Sequence, residues 1–292
     1  MEPHGSAASE ETQEHKAEEE GVPEGDLIYR SVRQDGEYAL NETSSALMWS
    51  GLAAGLSMGF SLIAEALLHA HLPDARWTPL ISKFGYTVGF LIVVLGRQQL
   101  FTEQTLTAVL PVMARKTRTA SFGNLARLWA IVLVANLAGG AILSAGVALT
   151  PAFPADVHQS FLHIGHAAMS PDFITTLVRG LFAGFLIAVM IWLLPGAGAA
   201  RLWIVVLVTY VVGLGSFSHI IAGSSECFYM IFRGEKTVTD YVLGYFAPAL
   251  LGNAIGGVVF VAALAHAQHG PDVAGDARVL TLPEASRGAK TH

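Results

Sequence analysis

The sequence is short of charge. Of its 292 residues only 14% are Asp, Glu, Lys or Arg, whereas 52% are hydrophobic, and mean hydropathy is +0.49. A soluble chain carries roughly a quarter charged residues, so this composition argues against a soluble enzyme or a nucleic-acid binder. Cysteine is nearly absent. One residue, Cys227, excludes an intrachain disulfide and a multi-cysteine metal site. The first 45 positions lack any apolar run, so no cleavable signal peptide is expected there. That leaves an all-α polytopic membrane protein with a polar tail at each end.

The few charges are unevenly placed. Twelve of the 23 acidic residues and three of the 17 basic ones lie in positions 1–45, which gives that tail a formal −9 and the remainder +3. Clusters such as Glu18-Glu19-Glu20 bury too little apolar area to offset ordering entropy. Residues 1–45 therefore read as a mostly disordered cytoplasmic tail, with a short surface helix conceivable around Leu27 to Tyr29. Residues 46–268 read as the transmembrane channel domain and 269–292 as a cytoplasmic C-terminal tail.

A bilayer core of about 30 Å takes about 20 apolar residues per helix. Six runs qualify: Ala46–Ala70, Pro79–Ala114, Leu125–Leu149, Phe173–Leu194, Leu202–Phe232 and Tyr241–His266. The second and fifth are too long and are interrupted by polar or glycine-rich stretches, so they read as broken helices. The loop after the second run holds Arg115, Lys116 and Arg118, whereas positions 150–171 hold no Lys or Arg. The positive-inside rule then places both termini in the cytoplasm. With three spans per half, the two halves insert in opposite senses. A repeat supports this: Thr102 to Asn136 and His219 to Asn253 are both 34 residues apart. Paired broken helices in an inverted 3+3 repeat point to a solute site near the bilayer midplane.

Four segments carry a resemblance. Leu-Phe-Thr at 100–102, Asn-Leu-Ala-Gly at 136–139, Phe-Ser-His-Ile-Ile-Ala at 217–222 and Gly-Asn-Ala-Ile-Gly-Gly at 252–257 are similar to the formate/nitrite transporter family. The resemblance covers roughly positions 46–268. It implies an aquaporin-like six-helix bundle, a homopentamer with one pore per protomer, no cofactor, and passage of small monovalent anions or their acids across a bacterial-type inner membrane. It also implies that His219 is the central pore histidine and that Thr102 faces it. Tyr86, Phe90, Leu100 and Val212 fall at the family's constriction positions. Neither break contains the Asn-Pro-Ala of aquaporins.

Independently of the resemblance, a membrane-embedded histidine is costly when charged and marks function. An imidazole titrates near physiological pH, which suggests that a weak-acid anion takes a proton beside His219 and Thr102 and crosses as the neutral acid. Asn136 and Asn253 are expected to hold the broken segments. Gly51, Gly55 and Gly59, and likewise Gly180 and Gly184, form close-packing helix faces.

Three departures from the family pattern stand out. Ser218 replaces the usual glutamate before the histidine, and the vestibule lysine falls at Ala168. Glu103 follows Thr102. Two readings of Glu103 remain open. It lines the pathway, favouring neutral or cationic solutes, or it joins a Glu65–Arg97–Glu103 cluster that holds the loop. Arg179 and Glu226 are further intramembrane charges with anchoring roles in view. His69, His71, His158, His163 and His166 read as solvated residues at span ends or in the 150–171 loop. A non-conducting membrane scaffold is the alternative from another class. No nucleophile elbow, phosphate loop or paired catalytic carboxylates suggests an enzyme.

Overall fold

A computed structural model describes residues 24–114 and 118–262, all of them helical or in short connections. Residues 1–23 and 263–292, which include most of the acidic clusters and the end of the sixth run, lie outside the described residues, as do Arg115 and Lys116. The first helix, α1, spans Glu24–Asn41 and α2 spans Ser44–Ala70. A short α3, Thr78–Ser82, leads into α4, Thr87–Leu95; α5, Phe101–Thr107, and α6, Val109–Ala114, follow. The long α7 is Arg118–Leu149, α8 is Ala155–Met169 and α9 is Phe173–Leu193. Next come α10, Arg201–Leu214, and α11, Ile220–Phe232. The last run begins with α12, Val238–Tyr241, and passes through the wide π-helical turns Val242–Phe246 into α13, Ala247–Ile255. Five described stretches are long and apolar enough to cross a bilayer, and α10 and α11 are shorter apolar helices. At ~1.5 Å per residue the 27 residues of α2 extend about 40 Å.

Two corrections to the sequence reading arise here. Residues 24–41 are not a disordered stretch. They form an 18-residue helix whose Tyr29, Val32, Gly36, Ala39 and Leu40 make a buried stripe at helical spacing. The acidic composition of the whole tail hid that stripe, because most of the acidic clusters precede Glu24. Arg127 fixes the end of this helix by donating to the Leu40 and Glu42 carbonyls at 3.1 and 2.9 Å. Second, positions 155–169 are a helix and not a loop, with Val157, Phe161 and Ile164 packed into a core against Leu62, Tyr229 and Met230.

The depth at which α1 docks depends on Gly36. A Cβ there would lie 1.8 Å from the Thr107 carbonyl oxygen. Gly36→Val should therefore lift α1 off α5. A cysteine placed at the buried Val32 is expected to become reactive to a water-soluble maleimide in that variant and to stay protected with Gly36 intact.

The bundle is built around two matched interruptions. Helix α4 closes at Gly96 and α10 at Gly215, each the C-cap. The next residues, Arg97 and Ser216, have φ of 49° and 51°. Gln98 N–H then donates back to Val93 O, and Phe217 N–H to Val212 O, both at 3.0 Å. This is the Schellman stop, with the left-handed position usually taken by glycine. Arg97 and Ser216 occupy it at a cost of about 1–2 kcal/mol each. Extended residues Leu100 and His219 then start α5 and α11.

Candidate functional site

Each interruption is held by one asparagine. Asn136 Oδ1 accepts from Phe101 N–H at 2.9 Å, while its Nδ2 donates to Gln99 O at 2.9 Å and Gly51 O at 2.8 Å. Asn253 Oδ1 accepts from Ile220 N–H at 2.9 Å, while its Nδ2 donates to Ser218 O at 2.7 Å and Gly180 O at 2.9 Å. These bonds satisfy backbone groups that no helix uses, which buried positions require. They also correct the register drawn from equal spacings. The residue matched to His219 is Leu100, not Thr102, because both are the extended residue before the N–H that the asparagine binds. The two 34-residue intervals are therefore not equivalent positions.

His219 is the N-cap of α11, and its Nδ1 accepts from Ala222 N–H at 3.2 Å. An acceptor at Nδ1 puts the proton of the neutral ring on Nε2. Nε2 is 2.9 Å from Thr102 Oγ1 and donates to it, which leaves the threonine hydroxyl its own proton to give. Gly223 lets the Tyr245 hydroxyl reach the His219 carbonyl at 3.1 Å; a Cβ there would fall 1.7 Å from that hydroxyl oxygen. His219 is thus held at both ring nitrogens and, through Tyr245, at its backbone carbonyl, and the residue is 1% exposed.

Aromatic rings continue from this pair. The Phe90 ring meets His219 edge-on at 4.9 Å, and Tyr86 lies 5.4 Å from Phe90. Ser61 Oγ fixes this stretch by donating to Tyr86 O at 2.6 Å and accepting from Gly89 N–H at 3.1 Å. Phe90, Leu100, Thr102 and Val212 are all fully buried. At the Tyr86 end lies a cavity of about 50 Å³ whose walls include Lys83, Tyr86, Ala168, Arg179, Val212, Ser218 and Glu226. At the other end a cavity of about 380 Å³ is bounded by Asp35 and Tyr38 of α1 and by Arg97, Gln98, Gln99, Glu103, Gln104 and Arg201. Burial raises the Asp35 carboxyl above its ordinary range, and the charges of Arg97 and Arg201 partly offset this.

The expected Glu65–Arg97–Glu103 cluster does not form. Glu65 is ion-paired with Lys83, at the opposite end from Arg97. Glu103 lines the larger cavity with Arg97, and its buried Oε1 has no hydrogen-bond partner among the described residues. Sequence reasoning missed Lys83. It lies near the start of the second apolar run, and the vestibule cation was sought on the chain before the fourth. Lys83 and Ala168 line the same cavity. The solvated-histidine reading holds for the exposed His71, His163 and His166 and needs correction for the half-buried His69 and His158. His158 bonds the Tyr229 hydroxyl at 2.8 Å, and the rings of His69 and His163 stack at 4.8 Å.

Comparison with known proteins agrees with this architecture. The profile of the family described as Formate/nitrite transporter matches residues 26–267. The inner membrane protein YfdC of Escherichia coli is 38% identical over 89% of this chain and 84% of its own length. The formate channel BtFdhC of Bacillus thuringiensis is 25% identical, covering 80% of this chain and 91% of its own. A solved pentameric formate channel with formate bound superposes with a TM-score of 0.67 at 19% identity, over 77% of this chain and 97% of that one. The protein is a multi-span, all-helical membrane protein and not an enzyme. It belongs to the formate/nitrite transporter family.

Proposed function

We propose that this chain is a channel for a small monovalent weak acid or its anion, of the formate and nitrite kind, working as a homopentamer in a bacterial-type inner membrane. The observation that carries the reading is the buried Thr102–His219 contact at the meeting of two interrupted helices. The duplicated Asn136 and Asn253 clamps support an inverted 3+3 repeat with broken second and fifth spans. Irregular backbone at membrane depth persists where it lines a pathway. Both termini are assigned to the cytoplasm from the Lys/Arg distribution, so the Lys83 cavity is the outer vestibule and the Arg97 cavity the inner one. Exposed apolar residues such as Trp49, Phe60, Ile174 and Trp203 supply surfaces for lipid or neighbouring protomers.

A bare anion in a dry apolar collar costs tens of kcal/mol. The pathway lowers that cost by two means. The Thr102 hydroxyl, itself receiving the Nε2 proton of His219, donates to the solute oxygen. The solute also combines with a proton from vestibule water, so that anion and hydronium give neutral acid and water. A second proton on His219 would set a donor at Nδ1 against the Ala222 N–H, so His219 acts as a fixed neutral donor. Tyr86, Phe90, Leu100 and Val212 exclude water on either side.

Proteoliposome flux of formate and nitrite across pH 5–8 tests the reading; flux no greater than in empty liposomes at every pH would reject it. Glu103 motivates a second reading, in which the same fold passes neutral or cationic solutes, because a carboxyl oxygen of its side chain with no hydrogen-bond partner among the described residues borders the inner cavity. Under the first reading Glu103→Gln leaves formate flux unchanged or raises it a few-fold, since a carboxylate repels an anion. Under the second it lowers methylammonium flux. Comparing the two solutes in one preparation separates them.

A further inference from the structure

The inner cavity is lined by more polar atoms than its own side chains satisfy. Its wall draws on four separate segments: Asp35 from α1, Arg97 and Gln98 from the turn after α4, Glu103 from α5 and Arg201 at the start of α10. Part of that wall is complete in itself. Gln104 Nε2 donates to Gln99 Oε1 at 2.6 Å, and Thr107 Oγ1 donates to Gln104 Oε1 at 2.9 Å. The rest is not. Gln98 Oε1, Glu103 Oε1 and Arg201 Nε are buried atoms with no hydrogen-bond partner among the described residues. Two are acceptors and one is a donor. Buried polar atoms are seldom left unpaired, and three on one cavity point to an occupant. The charges agree. Ion pairs join Arg33 to Glu37 and Lys83 to Glu65, but none joins Asp35, Arg97, Glu103 and Arg201 to one another. Two acids and two arginines thus border one space with a formal charge of zero and do not neutralise each other by contact. A lone anion is attracted by one set and repelled by the other, as is a lone cation, whereas a solute carrying both signs gains from both. Arg97 also keeps a φ of 49°, which glycine would adopt without strain. Such strain is characteristic of ligand sites. Asp35 and Arg97 are exposed, so the site is reachable from water. At about 380 Å³ it has the size of a small-molecule site, well beyond what formate or nitrite fills.

We propose that this cavity binds a small zwitterion of the amino-acid class, with its carboxylate toward Arg201 and Arg97 and its ammonium toward Glu103, Gln98 and Asp35. The carboxylate accepts the Arg201 Nε–H in a charge-assisted bond. The ammonium has three N–H donors, enough for Gln98 Oε1 and Glu103 Oε1 with one left for Asp35. Each unpartnered atom of the wall then has a partner, and each charge meets its opposite. Because the site is assembled from four segments, one of them the helix hidden in the acidic tail, no local motif announces it. The inference goes beyond the reading above and does not depend on which solute crosses the pathway.

The test is calorimetric binding to the full-length protein in detergent at pH 8, where amino acids are zwitterions. The probes are glycine, β-alanine and γ-aminobutyrate, with acetate and methylammonium as their single-charge halves. At least one zwitterion is expected to bind roughly tenfold or more tighter than either half, the effect of a second hydrogen bond to a charged group. Arg201→Gln should bring that zwitterion down to the methylammonium level and leave methylammonium itself unchanged. Glu103→Gln should bring it down to the acetate level and leave acetate unchanged or tighter. A misfolded variant loses both halves alike; Arg97→Gln and Asp35→Asn, at exposed side chains, then repeat the two comparisons. Binding of none of the three zwitterions leaves water as the occupant and overturns the proposal. A zwitterion bound no tighter than acetate or methylammonium overturns it too, as does a preference that persists in all four variants. Since binding and not flux is read, the result stands apart from the success or failure of the channel reading.

Discussion

A His219→Asn channel is expected to fold and to conduct about 10- to 100-fold less formate than the parent at every pH. Asparagine is among the best N-caps, so its side-chain oxygen can take over the Ala222 N–H that Nδ1 accepts now. It cannot reproduce the donor at Nε2 that reaches Thr102 Oγ1 at 2.9 Å. Losing a hydrogen bond that supports a charged or strongly polar solute costs about 1.5–3 kcal/mol, which gives the stated range of rates. His219→Ala loses the cap as well, and about 1 kcal/mol of stability with it. Stopped-flow flux and thermal unfolding, measured together, separate the two effects.

The pH profile of the same variants tests the protonation scheme. If vestibule water supplies the proton, the rate rises as pH falls in the parent and in His219→Asn alike, because the fraction of neutral acid rises in both. A slope that disappears with the imidazole would make His219 the proton donor. The cap geometry argues against that, since Nδ1 can hold the Ala222 N–H only while it carries no proton. Thr102→Val extends the test: it keeps side-chain volume while removing the hydroxyl, and should approach the His219→Asn rate.

The general plan of the molecule was legible because membrane insertion leaves strong marks in sequence. Apolar runs of the right length marked the spans, and the polar or glycine-rich stretches at 97–105 and 213–225 bracketed the two places where backbone leaves the helix, although helix already resumes at Phe101 and Ile220. The register was harder. Thr102 and His219 touch across the site, and equal spacing to Asn136 and Asn253 suggested that they were counterparts. The asparagine bonds instead match Leu100 to His219, and only backbone hydrogen bonds reveal that. Charges were misassigned for a related reason. Glu65, Arg97 and Glu103 were grouped because they were the conspicuous intramembrane charges of the first half, but α2 carries Glu65 toward one end and the Schellman turn after α4 carries Arg97 toward the other. Lys83 was overlooked because a lysine near the head of an apolar run resembles an interfacial anchor. The helix in the acidic tail was hidden by averaging charge over 45 residues, when its apolar stripe occupies only part of them.

Gly55→Val and Gly184→Val are expected to abolish the folded protein, and to do so for the same reason in each half. A Cβ at Gly55 would lie 2.0 Å from the Asn136 carbonyl oxygen, and one at Gly184 would lie 2.3 Å from that of Asn253. Both contacts are with backbone, so no rotamer change relieves them. Helix α2 would have to move off α7, or α9 off α13, by more than an ångström. Each shift also pulls the asparagine from its bond to Gly51 O or Gly180 O, at present 2.8 and 2.9 Å long. Overpacking alone costs about 1–3 kcal/mol, and each clamp adds a buried donor left without its acceptor, at about 1–3 kcal/mol more. Together they come to about 2–6 kcal/mol, a large part of the roughly 5–15 kcal/mol that holds an ordinary domain folded. The variants should appear as aggregates or fail to accumulate when extracted in detergent. Gly146→Ala is the contrast: a Cβ there meets nothing within 4 Å. Alanine is favoured over glycine in a helix by about 1 kcal/mol, so this variant should match or exceed the parent in unfolding temperature. If Gly55→Val and Gly184→Val behaved as Gly146→Ala does, the helices would not approach closely enough for the asparagines to hold the two interruptions, and the Thr102–His219 contact would lose its support.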